Sequence, residues 1–148
     1  MIKAEGVSFQ YKKKKKVLDN INAAFEKGEV VGIVGPNGSG KTTTLKLFSG
    51  MIFPQKGNIT LSGNVRAMLE QPSFYEDLCG IDNLEYFLKR TITEQEIQEA
   101  PFQCAEYVRT PVKRYSMGMR QKLALWMMFL SDADILLLDE PTVALDVD

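Results

Sequence analysis

Between Val30 and Met51 the sequence runs from an apolar stretch through a glycine-rich turn into a helical pattern, a succession that few folds accept. Val30-Val31-Gly32-Ile33-Val34 reads as a buried strand. Gly35-Pro36-Asn37-Gly38-Ser39-Gly40-Lys41-Thr42-Thr43 follows and fits G-x-x-x-x-G-K-[ST] without mismatch. A helix is expected from near Thr42 to about Met51, with Leu45, Leu47 and Phe48 on its inner face and Gly50 as the breaker. A strand that turns sharply into a helix aims several backbone N–H groups and the positive end of the helix dipole at one spot, and phosphate suits such a spot. Gly35, Gly38 and Gly40 permit backbone conformations and close approaches that a side chain would block. Lys41 supplies a cation for terminal phosphates, and Thr42 offers a hydroxyl to a divalent metal. The alternative is a plain glycine turn, and the complete match in this context argues against it.

The 148 residues, 45% hydrophobic and 25% charged, contain enough apolar material for one globular core and exclude a disordered chain. The longest apolar run, Leu123 to Leu130, falls well short of the roughly 20 residues a membrane span needs. The N-terminus lacks the apolar stretch of a signal peptide, so a cytoplasmic protein is expected. Cys79 and Cys104 lack metal-ligand spacing and fit a compartment where both stay thiols. A net charge of −1 gives no global attraction to nucleic acid or anionic lipid, and the sequence contains no histidine.

Along the chain, residues 2–11 and 17–25 alternate loosely, with Ile2, Val7, Phe9, Val17, Leu18, Ile21 and Phe25 apolar. Two strands joined by a turn through Lys12–Lys16 are expected. The lysines read as a solvated tip, with contact to lipid or nucleic acid as the alternative. Residues 58–61 and 65–69 read as two short strands around Ser62-Gly63-Asn64, which has the composition of a hairpin turn. Gln71-Pro72 ends the second strand. From residue 76 to 113 the pattern turns helical. Asp82 is a candidate cap for a helix through Leu84, Phe87 and Leu88, and Thr93 with Glu96 forms a capping-box pattern for a second, ended by Pro101. Ser116 is a candidate cap for a longer helix from Met117 to about Ser131, apolar on most of its surface.

Ile135-Leu136-Leu137-Leu138 reads as a second buried parallel strand that delivers Asp139 and Glu140 at its carboxyl end. Asp139 is suited to hold a Mg²⁺ that bridges phosphates, and Glu140 to take a proton from an attacking water. An acidic pair after a strand is common; beside the glycine loop it becomes specific. Together these stretches resemble the ATP-binding-cassette family, the nucleotide-binding subunits of ABC transporters, along the whole chain. Gly35 to Thr43 look like the Walker A loop, Ile135 to Glu140 like Walker B with its catalytic glutamate, and Pro141 to Asp146 like the D-loop segment. Tyr115-Ser116-Met117-Gly118-Met119-Arg120-Gln121-Lys122 resembles the family signature Leu-Ser-Gly-Gly-Gln, with Met117 in place of the first glycine and Met119 in place of the glutamine. This Tyr-Ser-x-Gly-Met form looks like the variant of antibiotic-peptide and related export systems.

The resemblance implies the following roles. Pro36, Asn37 and Ser39 would complete the ATP cradle with the three glycines, Lys41, Thr42 and Thr43; Lys41, Gln71 and Glu140 would serve catalysis. Asp139, Thr42 and Gln71 would bind Mg²⁺, and Gln71 would also sense water as the Q-loop glutamine. Tyr11 would stack on adenine, with Phe9 as its rival and either able to be core. Ser116 and Gly118 would contact the γ-phosphate bound to a second ATP-binding subunit in a head-to-tail dimer, although Ser116 as a simple helix cap is compatible with that role. The other expected partner is a transmembrane permease subunit, met through residues 72–113, which would place the chain on the inner face of the membrane; no nucleic-acid partner is expected. The expected fold is α/β: a P-loop NTPase core, an N-terminal antiparallel β region and a small helical subdomain at about 72–131. The family's switch histidine and the strand that carries it are not found, so residues 1–148 read as one truncated domain lacking the C-terminal strands. The expected function is MgATP hydrolysis that drives a membrane exporter. The alternatives are a soluble ATPase of the same type acting on ribosomes or nucleic acid, and a nucleotide-binding remnant without turnover.

Overall fold

The structure, a computed structural model, describes residues 1–12, 16–70 and 73–141. These fall into two compact units: residues 1–69 with 133–139, and the remainder of the described chain.

In the first unit, β1 (Ile2–Phe9) and β2 (Leu18–Phe25) pair antiparallel from Ile2↔Phe25 to Phe9↔Leu18, as their patterns predict. The lysine tip falls largely on residues 13–15, outside the described residues. Alternation in β1 is loose for a definite reason. Ile2 and Ala4 are buried in turn; then Gly6 enters the left-handed region at φ +62° and the register shifts, so that Val7, Ser8 and Phe9 are all buried. On β3 (Lys56–Leu61), which pairs antiparallel along the other edge of β1, Gly57 takes φ +79°. A Cβ there would lie 2.4 Å from the carbonyl oxygens of Glu5 and Gly6, so glycine alone fits.

The expected hairpin of residues 58–69 does not form. β3 belongs to the sheet ordered β2-β1-β3, whereas β4 (Val65–Met68) pairs parallel with β5 (Ile135–Leu138). The cause is Asp134, which lies 70 positions beyond the turn. Its carboxylate accepts a hydrogen bond from the Asn64 N–H at 2.8 Å, while the Asp134 and Ile135 N–H groups both donate to the Asn64 carbonyl, at 2.9 and 3.1 Å. Gly63, at φ +109°, packs so close to Asp134 that a Cβ would meet its side chain at 2.6 Å. Ser62-Gly63-Asn64 is therefore a corner that hands the chain from one sheet to the other.

Helix α1 (Lys41–Phe48) lays Leu45, Leu47 and Phe48 into a core shared with Ile2, Ala4, Val7, Phe9, Leu18 and Leu137. The Phe48 ring meets Phe25 edge to face at 5.9 Å. Two expectations about strands need correction. Residues 30–34 make no strand pairing among the described residues, and Val30 and Val34 are almost fully exposed. In β5 only Leu137 is buried. Apolar content favours a strand, but burial needs neighbours on both sides, and among the described residues β5 has a partner along one edge only.

The second unit holds α2 (Gly80–Leu88), α3 (Glu94–Gln98) and α4 (Met117–Phe129). Asp82 does not cap α2. Cys79 does, its Sγ accepting the Asp82 N–H while the Asp82 carboxylate accepts the Cys79 N–H at 3.3 Å, so Asp82 is the third residue of a capping box. Burial and the Asp82 contact push the Cys79 thiol pKa up, and burial does the same to Cys104, so both remain neutral thiols. Fully buried Asn83 holds the preceding loop: its amide nitrogen donates to the carbonyls of Tyr75 at 3.0 Å and Cys79 at 2.9 Å, and its oxygen accepts the Tyr75 N–H at 2.7 Å. Asn83→Ala leaves those backbone groups unpaired and is expected to lower unfolding free energy by about 2–4 kcal/mol in urea titrations.

The Thr93–Glu96 capping box forms as the sequence predicts. Arg90 grips the Glu96 carboxylate with two nitrogens, at 2.7 and 3.1 Å, and Thr93 adds its N–H at 2.8 Å. These contacts, Arg90 first, hold the Glu96 pKa down at about 2 against its ordinary 4.5. A depressed carboxylate adds stability that is complete above pH 4.5 and lost as pH falls through about 2. Stability in Glu96→Gln is therefore expected to depend less steeply on pH between 4.5 and 2 than in the wild type, as acid unfolding followed by circular dichroism would show.

Ser116 caps α4 as expected, its hydroxyl accepting the Met119 N–H at 3.2 Å. Five hydrophobic residues of α4, Leu123 to Trp126 and Met128, are buried together with one polar residue, Gln121. Among the described residues no helix is long and apolar enough to cross a membrane.

Candidate functional site

The loop between residue 34 and α1 takes its shape from its glycines. Ser39 donates its N–H to the Pro36 carbonyl at 3.1 Å, closing a turn through Asn37 and Gly38, which sits at φ +79°. A Cβ on Gly35 would lie 2.7 Å from the Ser39 hydroxyl. Gly40 is the helix N-cap at φ +101°, packed where a Cβ would touch Val17 and Leu18 at 3.1 Å. With glycine at the cap, no side chain among the described residues claims the first-turn N–H groups of α1. They stay available to an anion lying along the dipole. The Lys41 ammonium donates to the carbonyls of Gly35 at 2.9 Å and Pro36 at 3.2 Å, and so spans the loop.

Asp139 comes to the same place from the far end of the chain. Parallel pairing of β5 with β4 continues one step past the strand, where the Asp139 N–H donates to Met68 O at 2.9 Å. The Asp139 carboxylate then accepts a hydrogen bond from the Thr42 hydroxyl at 2.5 Å, across 97 positions of sequence. The structure thus brings together two of the three residues expected to bind metal. Hydroxyl and carboxylate oxygens are hard donors suited to Mg²⁺. Among the described residues no group of three or more His, Cys, Asp or Glu gathers. A cation held by Thr42 and Asp139 would draw its remaining ligands from phosphate and water, the usual habit of Mg²⁺.

Of the two aromatic candidates, Phe9 belongs to the core, whereas Tyr11 is exposed and stands edge-on to Phe9 at 4.9 Å. The Tyr11 hydroxyl lies 3.4 Å from the hydroxyl of Thr43.

In the second unit, Ser116 and Met117 are exposed at the start of α4, with Gly118 in its first turn. Met117 in the usual glycine position takes no left-handed torsion and points largely to solvent, so the substitution causes no conflict. Two tyrosines brace this end of the helix: Tyr115 donates its hydroxyl to the Tyr107 carbonyl at 3.0 Å, and Tyr107 donates to Met119 O at 3.4 Å. Burial, chiefly, pushes the Tyr115 pKa up to about 12. Glu140 is exposed, with its backbone at φ +45°, and Pro141 follows it. Gln71 and residues 142–146 lie outside the described residues. One residue in this unit escaped the sequence reading: Gln121, whose signal is a polar side chain buried in an apolar helix.

The glycine loop, the helix that follows it and the Asp139 carboxylate delivered by β5 make the phosphate site of a P-loop nucleotide-binding fold. The family described as ABC transporter matches residues 18–143, and the chain belongs to it. YhcH of Bacillus subtilis, named an uncharacterized ABC transporter ATP-binding protein, is 34% identical over 88% of this chain and 48% of its own length. SrtF of Streptococcus pyogenes, a lantibiotic transport ATP-binding protein, is 29% identical over 99% of this chain and 69% of its own length. The solved structure of a putative ABC transporter ATP-binding protein from Pyrococcus furiosus superposes with a TM-score of 0.86 at 29% identity, covering 98% of this chain and 78% of that one. The chain spans about half the length of the first curated relatives it matches, at 48%, 52% and 48%.

Proposed function

We propose that this chain binds MgATP on the loop of residues 35–43 and hydrolyses it as the ATP-binding subunit of a membrane exporter. The observation that carries the reading is the convergence of Thr42 and Asp139 at 2.5 Å beside the Lys41 loop. Loop amides and Lys41 bind and orient the phosphates, and their fixed charge opposes the negative charge that develops on phosphoryl oxygens. Thr42 and Asp139 would hold Mg²⁺, which when bound would neutralise developing negative charge on the phosphates. Glu140 accepts the proton of the attacking water, and Gln71 helps orient that water. Tyr11, the accessible member of its aromatic pair, stacks on adenine. Ser116 and Gly118 offer a helix N-terminus to the γ-phosphate held by a second copy. The helical region of residues 72–113 transmits closure to a permease subunit at the membrane's inner face.

Export is favoured by the Tyr-Ser-x-Gly-Met signature and by similarity to SrtF, whose name assigns it to lantibiotic transport. Titration with a fluorescent ATP analogue in Mg²⁺, followed by phosphate-release kinetics, tests the reading. Saturable binding with turnover lost in Glu140→Gln supports it; the absence of either overturns it.

A further inference from the structure

Glu140 sits at φ +45°, a left-handed torsion that β-carbon-bearing residues avoid, and it precedes Pro141, which narrows the preceding residue's choices further. Such a conformation persists only where surrounding structure over-determines it. Proline has no N–H, so the carbonyl is the one backbone hydrogen-bonding group by which Pro141 can be held. Among the described residues that carbonyl has a single partner, the Gln121 side-chain amide nitrogen, at 3.0 Å. Gln121 projects from α4, is 3% exposed, and its amide oxygen has no partner among the described residues. The alternative amide orientation is closed, because an oxygen facing the Pro141 carbonyl could not donate. Among the described residues the glutamine makes one bond and leaves one buried polar atom without a partner, a cost that a methionine of similar volume would avoid if packing were its role.

We infer that Gln121 is a positioning residue for hydrolysis: by holding the Pro141 carbonyl it fixes the backbone torsion of Glu140 and so aims the carboxylate at water. The inference rests on the preceding assignment of Glu140 as base. It links the helix that begins with the signature to the residue that activates water, inside one unit of the fold.

Gln121→Met tests this in the full chain. The expected result is a kcat reduced about ten-fold or more, the scale on which small misplacements act, with KM for ATP within about two-fold and the melting temperature unchanged or raised. A kcat equal to wild type overturns the inference, and so does a lowered melting temperature with kcat lost in parallel, which would assign Gln121 to fold stability. A crystal structure of the variant reads the torsion independently of turnover. Glu140 leaving the left-handed region supports the proposal, and Glu140 remaining near φ +45° overturns it. In the wild type, slow hydrogen exchange at the Gln121 side-chain amide is expected, and exchange at the rate of a free amide contradicts the bond. The two readings fail separately: an active Glu140→Gln removes the base itself, whereas an inactive Glu140→Gln beside a fully active Gln121→Met removes only the role of Gln121.

Discussion

Replacing Lys41 with alanine is expected to weaken ATP binding by about 10- to 100-fold, the worth of roughly 1.5–3 kcal/mol for a charge-assisted hydrogen bond. The ammonium donates to the carbonyls of Gly35 and Pro36, so the cation stands at the loop proposed to hold the phosphates. Both carbonyls belong to a loop open to water, and their release in Lys41→Ala should change unfolding free energy by no more than about 0.5 kcal/mol. Isothermal titration with ATP and urea unfolding of the same preparation separate the effects. Affinity unchanged in the alanine variant would remove Lys41 from the site.

Glu140→Gln is expected to reduce turnover by about 10²- to 10⁴-fold, the usual contribution of a general base, while ATP affinity stays within about three-fold. The amide keeps the size of the carboxylate and loses only the ability to take a proton. Glu140 is exposed, so the change removes no packing. The separation between chemistry and binding makes the variant informative: loss of both together would show that Glu140 holds nucleotide instead of activating water. Single-turnover phosphate release, measured beside equilibrium binding of the same nucleotide, distinguishes the two outcomes.

Signals contained within a few residues were legible in the sequence. The Thr93–Glu96 capping box and the Ser116 cap form as read, because both are settled by hydrogen bonds three residues apart. Cap identity failed at α2 because cysteine is an uncommon N-cap, which drew attention to Asp82 three positions on. Strand partners were harder. Ser62-Gly63-Asn64 carries every local mark of a hairpin, yet Asp134 turns it into a corner between sheets, and nothing near residue 63 announces that contact. Residues 30–34 show the same limit from the other side: apolar content gives a strand its propensity, but only a partner gives it pairing and burial.

The site was readable to a comparable depth. The glycine loop and the Asp139–Glu140 pair stood out as motifs, since their chemistry demands residue types at fixed spacing. Their meeting across 97 positions needed the parallel register of β4 with β5. Tyr11 is the preferred ring in the sequence, and burial adds that Phe9 belongs to the core while Tyr11 is exposed; the notice given to Gln121 needed burial. A buried glutamine and an exposed one look alike in a sequence.

The account depends on Thr42 and Asp139 acting on one metal-bound triphosphate. A double-mutant cycle of ATP affinity, with and without Mg²⁺, for the wild type, Thr42→Ala, Asp139→Asn and the double variant, measures that directly. The prediction is that Mg²⁺ strengthens binding in the wild type, that each single change removes most of this gain, and that the double change costs little more than either. Independent, additive losses with the Mg²⁺ dependence intact would contradict it.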